Sequence, residues 1–115
     1  MIGVDIQRIE RIKKSLANSA FVERVFTEAE REYCKSRAVP EQSYAGVFCA
    51  KEAAVKSVKQ GFGAISPRDV EVLHSDNGAP RLRFYGNAVP FFAGCDVDVS
   101  ISHDGEYAVA VVQVL

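Results

Sequence analysis

The spacing of hydrophobic residues changes from two to three or four within the first seventeen positions. Residues 2–6 alternate aliphatic side chains with Gly and Asp, which predicts a short β-strand that holds Asp5 on the face opposite to the aliphatic residues. From residue 7 to about residue 17, apolar positions recur every three or four residues among basic side chains. This pattern indicates an amphipathic helix with a basic face, next to a carboxylate of fixed position.

Two further helices are predicted in the middle of the chain. Thr27 and Glu30 have the spacing of a capping box, which opens a helix that ends before Pro40. The next helical pattern runs from residue 41 or 43 to residue 60 and contains no interior proline. It is the longest in the chain, and the Gly-Phe-Gly at 61–63 ends it.

The second half of the chain has the pattern of two β-hairpins. Strands are expected at 69–73 and 81–85 around the Asp-Asn-Gly at 76–78, and again at 96–103 and 107–114. These elements predict an α+β fold, in which a small antiparallel sheet packs with a long helix and a basic N-terminal helix.

The composition fits one soluble domain that spans residues 1–115. Of its residues, 48% are hydrophobic and 25% charged, and 14 Lys and Arg against 15 Asp and Glu give a net charge of −1. A chain of this size forms a core but has little room for a deep cavity of its own, so a large substrate is expected on the surface or between subunits. Near-neutral charge and the absence of a long apolar run argue against nucleic-acid and membrane partners.

The cysteines and the first residues indicate a cytoplasmic protein. Three cysteines that are far apart fit neither a disulfide framework nor a zinc site, so they are expected to be reduced and buried. The first residues lack the layout of a signal peptide. These three are Cys34, Cys49 and Cys95.

The long helix carries a pair of residues with catalytic potential. Glu52 and Lys56 are four positions apart and therefore project from one face, although such spacing alone is more typical of a surface ion pair. Asp5 and the Ser-Ile-Ser-His-Asp at 100–104 add a second carboxylate and further polar groups. Two carboxylates suit Mg²⁺, and a nearby lysine suits a phosphate. Together these residues outline a site for metal-assisted phosphoryl transfer.

Five motifs carry a resemblance to a known family over nearly the whole chain. They are Ile2-Gly3-Val4-Asp5-Ile6, Ala45-Gly46-x-Phe48-x-Ala50-Lys51-Glu52-Ala53-x-x-Lys56, Asp69-Val70-Glu71-Val72, Asn77-Gly78-x-Pro80 and Val99-Ser100-Ile101-Ser102-His103. In this order and at these separations they resemble the holo-acyl-carrier-protein synthases, the small bacterial 4′-phosphopantetheinyl transferases. The resemblance implies a magnesium-dependent enzyme of fatty acid biosynthesis. Such an enzyme transfers the phosphopantetheine of coenzyme A to a serine of an acyl carrier protein and releases adenosine 3′,5′-bisphosphate. It also implies a homotrimer with sites between neighbouring subunits.

The resemblance assigns roles to individual residues. Asp5 and Glu52 match the magnesium ligands, and Glu52 is also the candidate base for the serine hydroxyl, directly or through a water on the metal. Lys56 would stabilise negative charge on the phosphates, and His103 would contact coenzyme A or move a proton. Asp104, which follows His103, would complete the acid–base set. Gly61, beside the end of the long helix, is placed with Lys56 and His103 in the coenzyme A site.

Simpler roles compete with these. Asp5 can serve as a strand-end cap, and His103 shares strand parity with Val97, Val99 and Ile101, as a hydrogen-bonded core histidine would. Asp104-Gly105 is also favourable turn sequence. His74 lies beside a predicted loop and is expected to be exposed and structural. Asp96 and Asp98 form an acidic pair, but Asp5 and Glu52 account better for the metal.

A basic strip on the first helix is the candidate surface for the carrier protein. A solvated helix face is the simpler alternative, and nucleic acid is poorly supported because no set of stacking aromatics accompanies the strip. The basic strip consists of Arg8, Arg11 and Lys14 on this helix, with Arg24 nearby, and Arg11 and Arg24 match basic family positions.

One position departs from the family. Many members read Gly-Arg-Phe where this chain reads Gly46-Val47-Phe48, so a basic side chain expected to hold a coenzyme A phosphate is missing. Either Lys51, Lys59 or Arg83 replaces it, or affinity for coenzyme A is weaker. The alternative function is therefore a module that binds coenzyme A or a carrier protein with little transfer.

Overall fold

The chain folds as the predicted α+β arrangement. The computed structural model describes residues 1–115, with short 3₁₀ turns at Pro67–Asp69 and Gly86–Ala88. Pro40 lies in the first turn of the long helix, where its missing N–H costs no hydrogen bond, so it begins that helix. The elements in chain order are β1 Ile2–Arg8, α1 Ile9–Ser15, α2 Ser19–Val25, α3 Glu28–Lys35, α4 Pro40–Ser57, β2 Val70–His74, β3 Pro80–Phe84, α5 Val89–Phe92, β4 Val97–Asp104 and β5 Tyr107–Val114.

The strands form two antiparallel sheets rather than one. The larger sheet has the order β1-β5-β4, and β2 pairs only with β3. The β2–β3 connection is the five-residue loop 75–79, longer than the tight turn that Asn77-Gly78 favours. The side chain of Asn77 accepts the N–H of Ala79 in that loop, and Gly78 has a φ of +86°, which suits a residue without a Cβ.

Helix α4 packs against the larger sheet at unusually close range. A Cβ at Gly3 would overlap the backbone of α4 at Ala53, and a Cβ at Gly46 would lie 2.9 Å from the Cγ2 of Ile101. Glycine at these two points lets the helix approach β1 and β4. Residues 3–5 of β1 therefore lie directly beneath the second half of α4.

The aliphatic residues of β1 face outward, although an alternating strand usually turns its aliphatic side chains toward the core. Asp5 lies opposite to them as predicted, but Asp5 and Gly3 face the helix, whereas Ile2, Val4 and Ile6 remain 67%, 56% and 61% exposed. The reason is the close approach of α4, which leaves no space for large side chains on that side. An apolar row on the outer face of the sheet results.

A buried ion pair joins α3, α4 and β2. The Nζ of Lys51 lies 2.8 Å from the Oε1 of Glu30, and both side chains are fully buried. Lys51 also donates to the carbonyl oxygens of Pro67 and Val70, and the other oxygen of Glu30 accepts the N–H of Val72. Burial raises the pKa of Glu30 and lowers that of Lys51. Lys51 is therefore unavailable to a substrate.

The cysteines are all free. Cys34 and Cys49 are buried and Cys95 is half-buried. Burial raises the pKa of Cys34 and of Cys49 to about 12, which keeps both thiols protonated at neutral pH. None of the helices has the length and hydropathy needed to cross a membrane.

Candidate active site

Asp5 is anchored between β1 and α4. It is only 7% exposed, and its two oxygens have different partners. Oδ1 accepts from the Nζ of Lys56 at 3.0 Å, and Oδ2 accepts from the Nε2 of Gln7 at 2.9 Å. The carboxylate is therefore a fixed charge within the fold, which goes beyond a strand-end cap.

Glu52 lies on α4 close to Asp5. It is half-buried, and its pKa is raised first by burial and then by the negative charge of Asp5, against a smaller lowering by Lys56. The fold thus brings together two carboxylates that are 47 positions apart in the sequence and repel each other. Such repulsion is relieved by a cation placed between them.

Lys56 pairs with Asp5 rather than with Glu52. The spacing on α4 made a surface pair with Glu52 the simplest expectation, but the structure contains only two ion pairs, Lys51–Glu30 and Lys56–Asp5. The side chain of Lys56 is 50% exposed, and its hydrogen bond to Asp5 raises its pKa. It therefore remains cationic and reaches solvent at the site.

The donor set fits magnesium better than a metal held by protein alone. No group of three or more His, Cys, Asp or Glu side chains is placed to hold a metal ion. Mg²⁺ commonly binds through one or two carboxylates and takes its remaining oxygen ligands from water and substrate phosphates. The two mutually repelling carboxylates, Asp5 and Glu52, provide that kind of incomplete site.

A cavity of about 150 Å³ lies beside the first half of α4. It is bounded by the α3 helix, the β2–β3 hairpin and the end of β4. His103 is one of its walls and is exposed, so it is not a core histidine. The lining residues are Tyr33, Gln42, Ser43, Gly46, Val47, His74, Gly78, Pro80, Ile101 and His103.

The remaining predicted site residues, Gly61 and Asp104, are exposed and do not line this cavity. Asp104 ends β4 directly after His103 and pairs across the sheet with Tyr107. Gly61 follows α4, and its carbonyl oxygen accepts from the N–H groups of Ala64 and Ile65. Its position beyond α4 leaves its proposed contact with coenzyme A a prediction.

The basic strip is exposed along its whole length. Three of its members belong to β1 and α1, and Arg24 lies in the last turn of α2. The guanidinium of Arg8 lies over the ring of Tyr107, 5.5 Å from its centre. The strip is thus solvated and free to meet a partner.

His74 differs from its sequence-based interpretation. It ends β2, is half-buried, and stacks on Tyr33 with ring centres 3.7 Å apart and planes within 2°. It lines the same cavity as His103. Asp96 and Asp98, by contrast, are exposed at the opposite end of β4 from His103.

Sequence reasoning missed three residues around the site. Gln7 orients Asp5, and its place two residues further on the same strand face could have shown this. Tyr33 and His74 are 41 positions apart and meet only because α3 packs on β2. No local pattern could have paired them.

Comparisons with known proteins place the chain in a family. Residues 1–112 match the model of the 4′-phosphopantetheinyl transferase superfamily. The holo-[acyl-carrier-protein] synthase of Finegoldia magna is 44% identical over 108 residues, which cover 94% of this chain and 89% of that protein. The fatty acid synthase subunit alpha of Schizosaccharomyces pombe is 42% identical over 115 residues, 96% of this chain but 6% of that protein.

A solved structure agrees with the fold in full. The holo-[acyl-carrier-protein] synthase of Helicobacter pylori, determined in complex with coenzyme A, superposes with a TM-score of 0.88 at 33% identity and covers 100% of both chains. The match includes both sheets and the long helix that carries Glu52 and Lys56. This chain belongs to the 4′-phosphopantetheinyl transferase superfamily.

Proposed function

We propose that this chain is the single-domain, magnesium-dependent enzyme that moves 4′-phosphopantetheine from coenzyme A to a serine of an acyl carrier protein. The transferase activity of the holo-acyl-carrier-protein synthase type follows from the family. The metal, the roles of individual residues and the assembly are the finer parts of the proposal. The observation that carries them is the convergence of Asp5, Glu52 and Lys56 at the contact between β1 and α4.

Asp5 and Glu52 would hold the magnesium ion against the diphosphate of coenzyme A. A magnesium ion held by these carboxylates would supply positive charge that offsets the charge of the diphosphate. The hydrogen bond from Gln7 fixes one oxygen of Asp5, so the carboxylate is oriented before substrate arrives.

Glu52 is suited to accept the proton of the attacking serine. Its carboxylate would act on the hydroxyl directly or through a water on the metal. As the serine oxygen bonds to the phosphorus that carries pantetheine, the bond from that phosphorus to the bridging oxygen breaks. Adenosine 3′,5′-bisphosphate leaves with the bridging oxygen, and the cationic Lys56 would stabilise the charge that grows there.

The cavity beside His103 would hold the nucleotide end of coenzyme A. At about 150 Å³ it is too small for the whole molecule, since sites for drug-sized ligands usually enclose about 300 Å³ or more. The pantetheine arm and the carrier protein would therefore lie on the surface or against a neighbouring subunit. His103 and Asp104, together at the end of β4, are placed to contact phosphate or relay a proton.

We infer a homotrimer that works in the cytoplasm on acyl carrier protein. The exposed aliphatic row of β1 offers a subunit contact on the sheet face opposite to Asp5. Free thiols fit a reducing compartment. The exposed basic strip matches the acidic surface expected beside the modified serine of the carrier.

Transfer is tested by weighing an apo carrier protein after incubation with coenzyme A, magnesium and the enzyme. We expect a mass gain of one phosphopantetheine group, its loss when the metal is chelated, and its return when Mg²⁺ is added. Binding of coenzyme A without any mass gain would support the binding-module alternative instead.

Glu52→Gln removes both a metal ligand and the proposed base while retaining shape and hydrogen bonding. We expect turnover to fall at least about 100-fold, with an unchanged circular dichroism spectrum. Glu32→Gln, an exposed substitution on α3, is the matched control and should retain normal turnover. Normal turnover in Glu52→Gln would remove Glu52 from the mechanism.

A further inference from the structure

The cavity assigned to the nucleotide end of coenzyme A has no permanently charged wall. Its ten lining residues include neither Lys, Arg, Asp nor Glu, and both histidines of the chain are among them. The adenosine 3′,5′-bisphosphate portion of coenzyme A carries a 3′-phosphate, which calls for a cation. Val47 stands where many family members have arginine. Its side chain is apolar and only 2% exposed, so it offers no cation to the cavity.

The three basic residues first considered as replacements are poorly placed. Lys51 is fully buried in its pair with Glu30. The guanidinium of Arg83 lies over the ring of Tyr85, 5.5 Å from its centre, on the exposed side of β3. Lys59 follows the C-terminal end of α4, whereas the cavity lies beside the first half of that helix.

Arg37 is the cation that the fold holds next to the cavity. Its guanidinium lies over the ring of Tyr33, 5.4 Å from the ring centre. Tyr33 in turn stacks on His74, and both rings line the cavity. Arg37 itself is exposed, so a cation–π contact keeps its charge at the edge while leaving its donors free.

His74 cannot supply the charge in place of Arg37. Its Nδ1 is buried without a hydrogen-bond partner, so protonating that atom would leave a buried donor unsatisfied. Burial and then the positive charge of Arg37 lower the pKa of His74, so the ring is neutral at physiological pH.

We propose that Arg37, held over Tyr33 at the edge of the cavity, binds the 3′-phosphate of coenzyme A and makes the enzyme prefer coenzyme A to 3′-dephospho-coenzyme A. This specificity role rests on the proposed function. Arg37 would make the phosphate contact that an arginine at position 47 is expected to make in other family members and that Val47 cannot make. Guanidinium groups suit a phosphate because their N–H donors match its oxygens in pairs. Arg37 lies outside the motifs that identify the family.

The test compares kcat/KM for the two donors, which deliver the same phosphopantetheine group and differ only in the 3′-phosphate. The wild-type chain should prefer coenzyme A about tenfold or more. In Arg37→Ala this preference should fall to about twofold or less, with kcat/KM for the dephospho donor nearly unchanged. Arg37→Lys, which keeps the charge, should retain an intermediate preference.

Arg83→Ala is the matched control, because it removes another exposed arginine from a tyrosine ring away from the cavity. It should keep the wild-type preference. An unchanged preference in Arg37→Ala, or equal use of the two donors by the wild-type chain, would overturn the role of Arg37 and leave transfer intact. No transfer from either donor would instead contradict the proposed function.

Discussion

The buried ring nitrogen of His74 links protein stability to pH. Burial lowers the pKa of His74 below that of an unfolded histidine, so the unfolded chain binds the proton more readily. The stabilising contribution of the neutral ring is therefore complete above about pH 6.5, the ordinary histidine value. It is lost as the pH falls through the lower pKa of the folded state.

His74→Phe keeps a ring against Tyr33 and removes the titrating group. We expect the free energy of unfolding of the wild-type chain, measured by urea denaturation, to fall relative to that of this variant as the pH drops from 8 toward 5. The difference between the two curves should level off at the high-pH end. Parallel curves across this range would contradict the assignment.

Single residues could be predicted where a motif or a strand period fixes their position. Asp5 and Glu52 could be selected from the sequence because family motifs specify both, although nothing in the sequence gives their separation in space. The partner of Lys56 was not predictable from the helix spacing, since that spacing favours Glu52, whereas the close packing of β1 places Asp5 within reach. His74 was misassigned because burial by α3 depends on tertiary packing.

At the scale of elements, the ion pair between Glu30 and Lys51 holds three segments in register. The capping box of α3 also depends on Glu30, whose Oε1 accepts the N–H of Thr27 at 2.8 Å. The side chain of Glu30 thus caps α3, forms an ion pair with Lys51 of α4 and accepts a hydrogen bond from the backbone of β2. The next residue after Lys51 is Glu52, so this pair also sets the position of the proposed base.

Glu30→Ala should destabilise the protein by about 3 to 5 kcal/mol, because it leaves the buried Lys51 without its counter-charge. Thermal or urea unfolding measures the loss. Glu32→Ala, on the exposed side of the same helix, should change stability by no more than about 0.5 kcal/mol. A loss below about 1 kcal/mol in Glu30→Ala would show that the pair is not structurally important.

The elements themselves were largely predictable, because the capping box, the strand alternation and the glycine turns act locally. Thr27 and Glu30 form the expected box, and the two hairpins lie where the alternation predicted them. The division into two sheets and the inward face of β1 were not predictable. Both depend on how closely α4 approaches through Gly3 and Gly46, which is a property of packing.

For the whole molecule, the outer face of β1 should govern assembly. Val4→Asp places a charge in the exposed aliphatic row, and we expect it to convert the proposed trimer to monomers without unfolding the chain. Light scattering during gel filtration would measure the change from three times the 12.6 kDa chain mass to one. Val89→Asp, an equivalent change on α5, should leave the trimer intact, and a monomeric wild-type chain would contradict the assembly.

The basic strip is expected to govern how the enzyme meets the carrier protein. Arg11→Glu reverses one charge of the basic strip and should raise KM for the carrier protein more than KM for coenzyme A, with a weaker dependence on salt than in the wild type. Lys13→Glu, about 200° away around the helix, is the matched control and should have a smaller effect. Equal increases in both constants would show that the strip does not recognise the carrier.

Because the aliphatic residues of β1 face outward and Asp5 faces α4, we expect the activity of the enzyme to depend on its concentration. β1 is an edge strand of its sheet, with the proposed metal ligand Asp5 on one face and the proposed subunit contact, the exposed aliphatic row, on the other. Dilution that dissociates the subunits would free this edge strand and make Asp5, on its other face, less rigidly held. Specific activity should then decline at low enzyme concentration, even when both substrates are saturating.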